Sequence, residues 1–326
     1  MGLFEELRKK VAGQGKVIVF PEGDDIRIQG AALRLAQDGL VKPILLGDLT
    51  AIKATAQANQ YNLDVLEVID PKIYPTEKLT TMIEALVKRR NGKTDKETAK
   101  AWLTDVNYFG TMLVYMGIAD GMVSGATHPT GDTVRPALQI VKTAPGSKRI
   151  SGAFIMQKAD QRYVFSDAAI NIDIDAETMA EIAVQSANTA KIFGIDPKVA
   201  MLSFSTKGSA KADQVTKVAQ ATEIAHQLAP ELVLDGELQF DAAFVPSVGQ
   251  AKAPDSQVAG YANVFIFPDL QSGNIGYKIA QRLGGFEAIG PILQGLAKPI
   301  SDLSRGCNED DVYKVSLITA AQALDA

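Results

Sequence analysis

The residues V-I-V-F-P-E-G-D-D-I-R, 17–27, decide how this chain folds. Three β-branched residues and a phenylalanine predict a short buried strand, and Pro21 ends it. Residues 26–37 then carry apolar side chains at helical spacing. P-I-L-L at 43–46, followed by Gly47 and Asp48, predicts a second strand and a turn. Strand, helix, strand in that order signals an α/β unit built on a parallel sheet. The rhythm continues outward, with a short apolar run at 66–69 and a helical one at 76–88.

Beyond Pro145-Gly146, a plausible boundary, a new set begins. Strands are expected at 153–156, 163–165, 199–204 and 264–267, with helices at 176–193 and 211–228 between them. A last helix is expected over 311–324. The chain of 326 residues is long enough for two domains, each with a core of its own. No internal repeat and no low-complexity segment interrupts the pattern.

Composition narrows the function. A net charge of −5 argues against a nucleic-acid-binding face, so a polyanionic ligand would have to be met by local Arg and Lys clusters. A single cysteine excludes an intramolecular disulfide and a Cys-rich zinc site, and two histidines exclude a multi-His metal site. The start, M-G-L-F-E-E-L-R-K-K, reads as an amphipathic helix without the apolar core of a signal peptide. Glu6 stands where a myristoylation motif needs Ser or Thr. No apolar run has the length of a membrane span. A cytoplasmic protein with no membrane or nucleic-acid partner is expected.

The chemistry is expected in G-L-A-K-P-I-S-D-L-S-R-G-C-N-E-D-D, residues 295–311. It gathers a hydroxyl (Ser304), a guanidinium (Arg305), the only thiol (Cys307) and three acids. Asn308 is a favoured N-cap, and Glu309, Asp310 and Asp311 suit the positive end of a helix. Ser304 and Arg305 then lie on a loop entering a helix N-terminus, a natural place for an anion. The plain alternative is structural: Asn308 and Asp311 are spaced as a capping pair, and Cys307 is an ordinary buried residue.

The second informative region is 121–146. A strand ending at Val123 opens into a loop with Ser124, Thr127, His128 and Thr130, and a helix begins near Asp132 or Thr133. Small hydroxyl residues and free amides at a strand's carboxyl end suit a phosphate group. A plain strand–loop–helix connection is the alternative. The basic cluster at 88–93 closes a helix, where positive charge is also good dipole chemistry. S-T-K-G-S-A-K, 205–211, lacks the spacing of a Walker A loop; contact with a coenzyme phosphate and a plain turn both remain open. Lys278 and Arg282 lie four apart, on one helix face.

Several of these segments resemble the phosphate acetyltransferase (phosphotransacetylase) family. K-P-I-S-D-L-S-R-G from Lys298 is similar to the family's active-site segment. P-E-G-D-D-I-R, the S-G-A-T-H…D-T-V-R-P-A-L-Q-I-V-K-T run, and P-D-L-Q-S-G-N-I-G-Y-K-I-A-Q-R-L from Pro268 resemble further family segments in the right order. The likeness covers nearly the whole chain. It implies an α/β, two-domain isocitrate/isopropylmalate dehydrogenase-like fold with parallel-rich sheets and an interdomain active-site cleft, usually dimeric. Domain I would be residues 1–147 plus 295–326, and domain II, which would form the dimer, residues 148–294.

The implied reaction is acetyl-CoA + phosphate ⇌ acetyl phosphate + coenzyme A, with no tightly bound cofactor and no metal. The family's catalytic serine and aspartate fall on Ser304 and Asp311, with Arg305 beside them. Its substrate arginines fall on Arg89 (or Arg90, since the local spacing differs), Arg135 and Arg282. Ser124, Thr127, His128, Thr130, Asn274 and Lys278 complete the expected substrate site. A thiol and an aspartate differ by about 4.6 pKa units, roughly 6 kcal/mol for full proton transfer, so transfer concerted with attack is expected. Two rival mechanisms use Cys307 as an acyl-enzyme nucleophile or His128 as the base. Rival functions are a phosphate butyryltransferase, a non-catalytic acyl-CoA-binding regulatory domain, and a dehydrogenase, for which no G-x-G-x-x-G precedes a helix.

Overall fold

The structure is a computed structural model, and it describes residues 2–324. Eleven strands are found among the described residues: β1 Val17–Phe20, β2 Lys42–Leu46, β3 Glu67–Ile69, β4 Gly121–Ser124, β5 Ser151–Lys158, β6 Gln161–Ser166, β7 Val199–Leu202, β8 Leu234–Leu238, β9 Val264–Ile266, β10 Glu287–Gln294 and β11 Ile300–Asp302. The chain divides into two compact units at Pro145/Gly146 and again at Gly295/Leu296. The segment after Leu296 rejoins the first unit.

The first unit holds a five-stranded sheet in the order β11-β4-β1-β2-β3, with every neighbouring pair parallel. β1 is central, as its apolar sequence demands: Ile18, Val19 and Phe20 are fully buried. Several of its helices begin at an aspartate that caps them. Asp25 accepts from the Arg27 amide and starts the helix Ile26–Gln37; Asp48 starts Leu49–Ala58; Asp105 starts Val106–Tyr115. One face of the sheet packs on Phe109, Met112, Leu113, Met82 and Leu86 in a continuous apolar core.

The second unit holds a six-stranded sheet in the order β10-β5-β6-β9-β7-β8. β6, β9, β7 and β8 run parallel, while β5 and β10 are antiparallel to their neighbours. Both sheets are therefore parallel-rich. Three strands were not foreseen from local pattern: β8, β10 and β11. The helix expected from Asp132 or Thr133 instead spans Thr130–Pro136 and runs on into a π-helical turn, Ala137–Val141.

The decisive feature is β11. It enters beside β4 in parallel, pairing Asp302 with Ser124, and the Leu303 amide donates to the Ser124 carbonyl at 2.7 Å. The loops leaving β1, β4 and β11 therefore emerge at one edge of one sheet. In a parallel sheet that is the carboxyl edge, where ligands bind.

Candidate active site

Glu22 organises these loops. It follows β1, is 2% exposed, and accepts from the amides of Ala126 (2.8 Å), Thr127 (2.8 Å) and His128 (2.9 Å). The Thr127 hydroxyl (3.0 Å) and His128 Nδ1 (2.8 Å) complete its shell. Burial by itself would push this carboxyl up. The bond from His128 and the three backbone amides outweigh burial and hold Glu22 at about 2, against an ordinary 4.5. An ionised carboxylate can only accept, so His128 carries hydrogen on Nδ1 and turns Nε2 away from Glu22. The same bond raises the His128 pKa against the opposing effect of burial.

Arg27 ties the three loops together. It grips Asp25 through Nε (2.9 Å) and Nη2 (2.7 Å). It also donates to the carbonyls of Ala126 (2.9 Å), Arg305 (3.0 Å) and Cys307 (2.9 Å). The segment 303–308 is thus hung from the loop after β1. Local sequence gave neither Glu22 nor Arg27 a role. The one available signal was P-E-G-D-D-I-R, whose charged residues follow a buried strand without forming a repeat.

Ser304, Arg305 and Asp311 come together on the loop after β11 and the start of the helix Glu309–Gln322. Ser304 is exposed, and its hydroxyl oxygen accepts from the Gly306 amide at 3.2 Å. Arg305 is exposed, and its guanidinium has no hydrogen-bond or ion-pair partner among the described residues. Asp311 is exposed and sits in a reciprocal cap. Its Oδ2 accepts from the Asn308 amide (3.0 Å), and its own amide donates to Asn308 Oδ1 (2.9 Å). The capping geometry read from N-x-x-D is present, and Oδ1 of Asp311 keeps its acceptor capacity. Cys307 is buried; its burial pushes the thiol up, and the nearby Arg27 only partly counters this.

The loop after β4 carries the other expected residues. Ser124 is fully buried and donates to Asn107 Oδ1 at 2.7 Å, so its hydroxyl props the strand end instead of facing solvent. Thr127 and His128 are held by Glu22. Thr130 is exposed and donates to the buried Asp302 at 2.6 Å. Burial raises the Asp302 pKa; the bond from Thr130 and the nearby Thr133 hydroxyl, which does not reach hydrogen-bond geometry, act against it, and the charge of Glu22 adds to it. Gly125 has φ +108°, and a Cβ there would lie 2.5 Å from Asp302 Oδ1, so only glycine fits.

The arginines differ. Arg135 is exposed and unpaired among the described residues. Arg89 is committed: Nε donates to the Ile140 carbonyl (2.5 Å), Nη2 donates to that of Val141 (2.7 Å), and the guanidinium lies 5.0 Å from the Tyr115 ring. Arg90 donates to the Gln139 carbonyl at 3.2 Å. Both therefore anchor the end of the helix that carries Arg135. Asn274, Lys278 and Arg282 belong to the second unit, on the helix Leu270–Arg282. Asn274 donates to the Ala168 carbonyl at 3.2 Å, the Lys278 ammonium lies 5.7 Å from the Tyr277 ring, and Arg282 is exposed.

Among the described residues no group of three or more His, Cys, Asp or Glu side chains is placed to hold a metal ion. Likewise, none of the described helices is long and apolar enough to cross a membrane.

This arrangement offers two unpaired guanidiniums, an exposed hydroxyl and a carboxylate at one sheet edge, which suits an oxyanion undergoing group transfer. Comparison with known proteins agrees. The family model described as phosphate acetyl/butaryl transferase matches residues 2–320. The chain is 59% identical over 322 residues to a phosphate acetyltransferase of Bacillus subtilis (strain 168), covering 99% of each. It is 56% identical over 327 residues to a phosphate acetyltransferase of Staphylococcus epidermidis, again covering 99% of each. A crystal structure of a phosphotransacetylase from Streptococcus pyogenes superposes with a TM-score of 0.97 at 60% identity, covering 99% of this chain and 98% of that one. A branched-chain phosphotransacylase from Enterococcus faecalis, at 16% identity and a TM-score of 0.67, covering 94% of this chain and 99% of that one, shares the fold.

Proposed function

The chain belongs to the phosphate acetyl/butyryl transferase family, and on that premise we propose that it is a phosphate acetyltransferase. It moves an acetyl group between coenzyme A and phosphate: acetyl-CoA + phosphate ⇌ acetyl phosphate + coenzyme A. The observation that carries this reading is identity of more than half over full length to proteins bearing that name. Arg305, next to Ser304, and Arg135, on the helix after the β4 loop, are unpaired among the described residues and supply a place for the phosphoryl group.

In our reading the transfer is direct, in a ternary complex. Arg305 and Arg135 hold the phosphoryl group, and Ser304 donates its hydroxyl hydrogen to the acetyl oxygen as charge grows there. Oδ1 of Asp311 takes the thiol proton as sulfur attacks, so proton and bond move together and no free thiolate need accumulate. Cys307 is the weaker nucleophile: it is buried, its thiol is pushed up by that burial, and Arg27 Nη1 faces its sulfur at 3.7 Å. His128 is the poorer candidate for the base, because its bond to Glu22 favours the charged ring, which has no lone pair left to take a proton. We assign it, with Thr127 and Thr130, to the anion side of the site.

Arg89 acts in this reading by anchoring the helix of Arg135. Asn274, Lys278 and Arg282 remain proposed substrate contacts of the second unit. The isocitrate/isopropylmalate dehydrogenase-like fold, the two-domain division near Pro145 and Gly295, a homodimer, a cytoplasmic location and the absence of a tightly bound cofactor belong to the same proposal. The family also covers butyryl transfer, whereas the relatives above half identity are named for acetyl.

The test is phosphate-dependent thiol release from acetyl-CoA, run beside butyryl-CoA. Turnover with acetyl-CoA, intersecting initial-rate plots and slower butyryl transfer are expected. Parallel plots with a trapped acetyl-cysteine would sink direct transfer, and faster butyryl transfer would reassign the substrate.

A further inference from the structure

Asp302 ends β11 and is 4% exposed. It carries no ion pair among the described residues. Its Oδ2 accepts the Thr130 hydroxyl hydrogen at 2.6 Å, and its Oδ1 is buried without a hydrogen-bond partner, against Gly125. The Thr133 hydroxyl oxygen nearby is also buried without a partner in the structure. A carboxyl group buried this way is costly unless it has a task, because its solvation is lost and no cation replaces it.

The task follows from counting hydrogens. A carboxylate only accepts, and a threonine hydroxyl has a single hydrogen. Once that hydrogen is committed to Asp302, exposed Thr130 can present only lone pairs to a ligand. Thr130 Oγ1 is therefore an acceptor, at the sheet edge where the loop after β11 brings groups that donate, the Arg305 guanidinium and the Ser304 hydroxyl.

We propose that Asp302 is a positioning residue that holds Thr130 as an acceptor, and that the pair selects an oxyanion bearing a proton, hydrogen phosphate, over one that bears none, sulfate. The proposal rests on the phosphate-transfer reading. Guanidiniums alone cannot make this distinction, since they donate equally well to both anions. A P–OH group donates to Thr130 Oγ1. A sulfate oxygen in the same place meets lone pairs, with the Asp302 charge behind them. The selected proton is also the one that the reaction moves: acetyl-CoA and hydrogen phosphate give acetyl phosphate, and the proton of phosphate ends on the departing coenzyme A sulfur. A site that recognises P–OH therefore recognises the form that can react.

The experiment uses the whole chain and measures sulfate as a competitor of phosphate in the thiol-release assay. The readout is the ratio of the sulfate inhibition constant to the phosphate KM. Thr130→Val should lower that ratio about tenfold, chiefly by raising the phosphate KM, because one hydrogen bond to substrate is lost. Thr130→Ser should keep it. Asp302→Asn should lower it from the other side, because an amide N–H can donate to Thr130 and turn the hydroxyl hydrogen toward a bare oxyanion; here the sulfate inhibition constant falls. If Asp302→Asn does not fold, the two Thr130 variants, changed at an exposed residue, still decide the matter. A ratio unchanged in Thr130→Val, or one that falls equally in Thr130→Ser, overturns the proposal. A wild-type chain that releases no thiol overturns the functional reading itself, and is a different outcome.

Discussion

Two loops in this molecule are folded around a buried glutamate, and they differ in what they leave over. In the first unit Glu22 gathers three backbone amides, a hydroxyl and a histidine, and the segments that follow, the helix of Arg135 and the loop of Arg305, leave both guanidiniums without partners among the described residues. In the second unit Glu237 gathers the Gly208 amide (2.7 Å) and the Ser205 hydroxyl (3.0 Å) after β7. There Lys207 is consumed: it pairs with Asp235 and donates to the Gly236 carbonyl at 2.8 Å. Ser209 Oγ accepts from the Thr206 amide, closing the turn on itself. Buried carboxylates shape both loops. The first leaves two guanidiniums, those of Arg135 and Arg305, without partners among the described residues at its sheet's carboxyl edge, whereas the second leaves a single ammonium, and a spare charge is what an anionic substrate can use. The coenzyme-contact reading of 205–211 is left with Lys211, exposed and unpaired among the described residues.

The largest expected effect breaks the comparison at Asp311. Asparagine keeps the shape and can still accept from the Asn308 amide, so the cap should lose no more than about 1 kcal/mol. It cannot take a thiol proton, so turnover should fall roughly 10²–10⁴-fold. Turnover and thermal unfolding measured on one preparation separate the two roles. A destabilised protein with near-normal turnover would make Asp311 a cap alone and move the base to His128.

Glu22→Gln comes next and sharpens the comparison through stability. The amide N–H₂ would face backbone donors that now meet a carboxylate. A loss of about 3 kcal/mol is expected, against about 1 kcal/mol for Glu237→Gln, which accepts fewer bonds. The pH dependence has a definite sign. Glu22 is held at about 2 in the folded state against an ordinary 4.5, so its contribution is present above 4.5 and is lost as pH falls toward 2. His128 is raised above 6.5, so its contribution is full below that value and is lost as pH rises through the folded value. Chemical unfolding across pH should show the acid limb in the wild type and a flatter one in Glu22→Gln. Matching acid limbs in both would remove Glu22 from the account.

Much of the fold was legible because it is written locally. V-I-V-F, P-I-L-L and the helical spacing between them need no distant partner. The strands that local pattern missed each lack that signature. β11 is three residues, I-S-D. β8 has Asp and Gly in its middle. β10 contains Gly290-Pro291, which it absorbs with a register shift between Ile289 and Ile292. The site divided the same way. Ser304, Arg305 and Asp311 could be picked out because hydroxyl, guanidinium and acids crowd one stretch. Glu22, Arg27 and Asp302 could not, because what makes them matter is bonding to segments far along the chain. Composition also says nothing of whether an arginine is already engaged: Arg89 and Arg135 read alike in sequence, yet one holds carbonyls and the other is unpaired among the described residues.

The measurement that tests the central claim most directly is the phosphate KM of Arg135→Ala and Lys207→Ala in the same thiol-release assay. Arg135, on the helix that follows the first loop, is unpaired among the described residues, and Lys207 is the paired cation of the second loop. Loss of a charge-assisted bond to phosphate should raise the KM of Arg135→Ala roughly ten- to a hundredfold, while Lys207→Ala stays within about twofold. An unchanged phosphate KM in Arg135→Ala, or a larger rise in Lys207→Ala, would contradict the account.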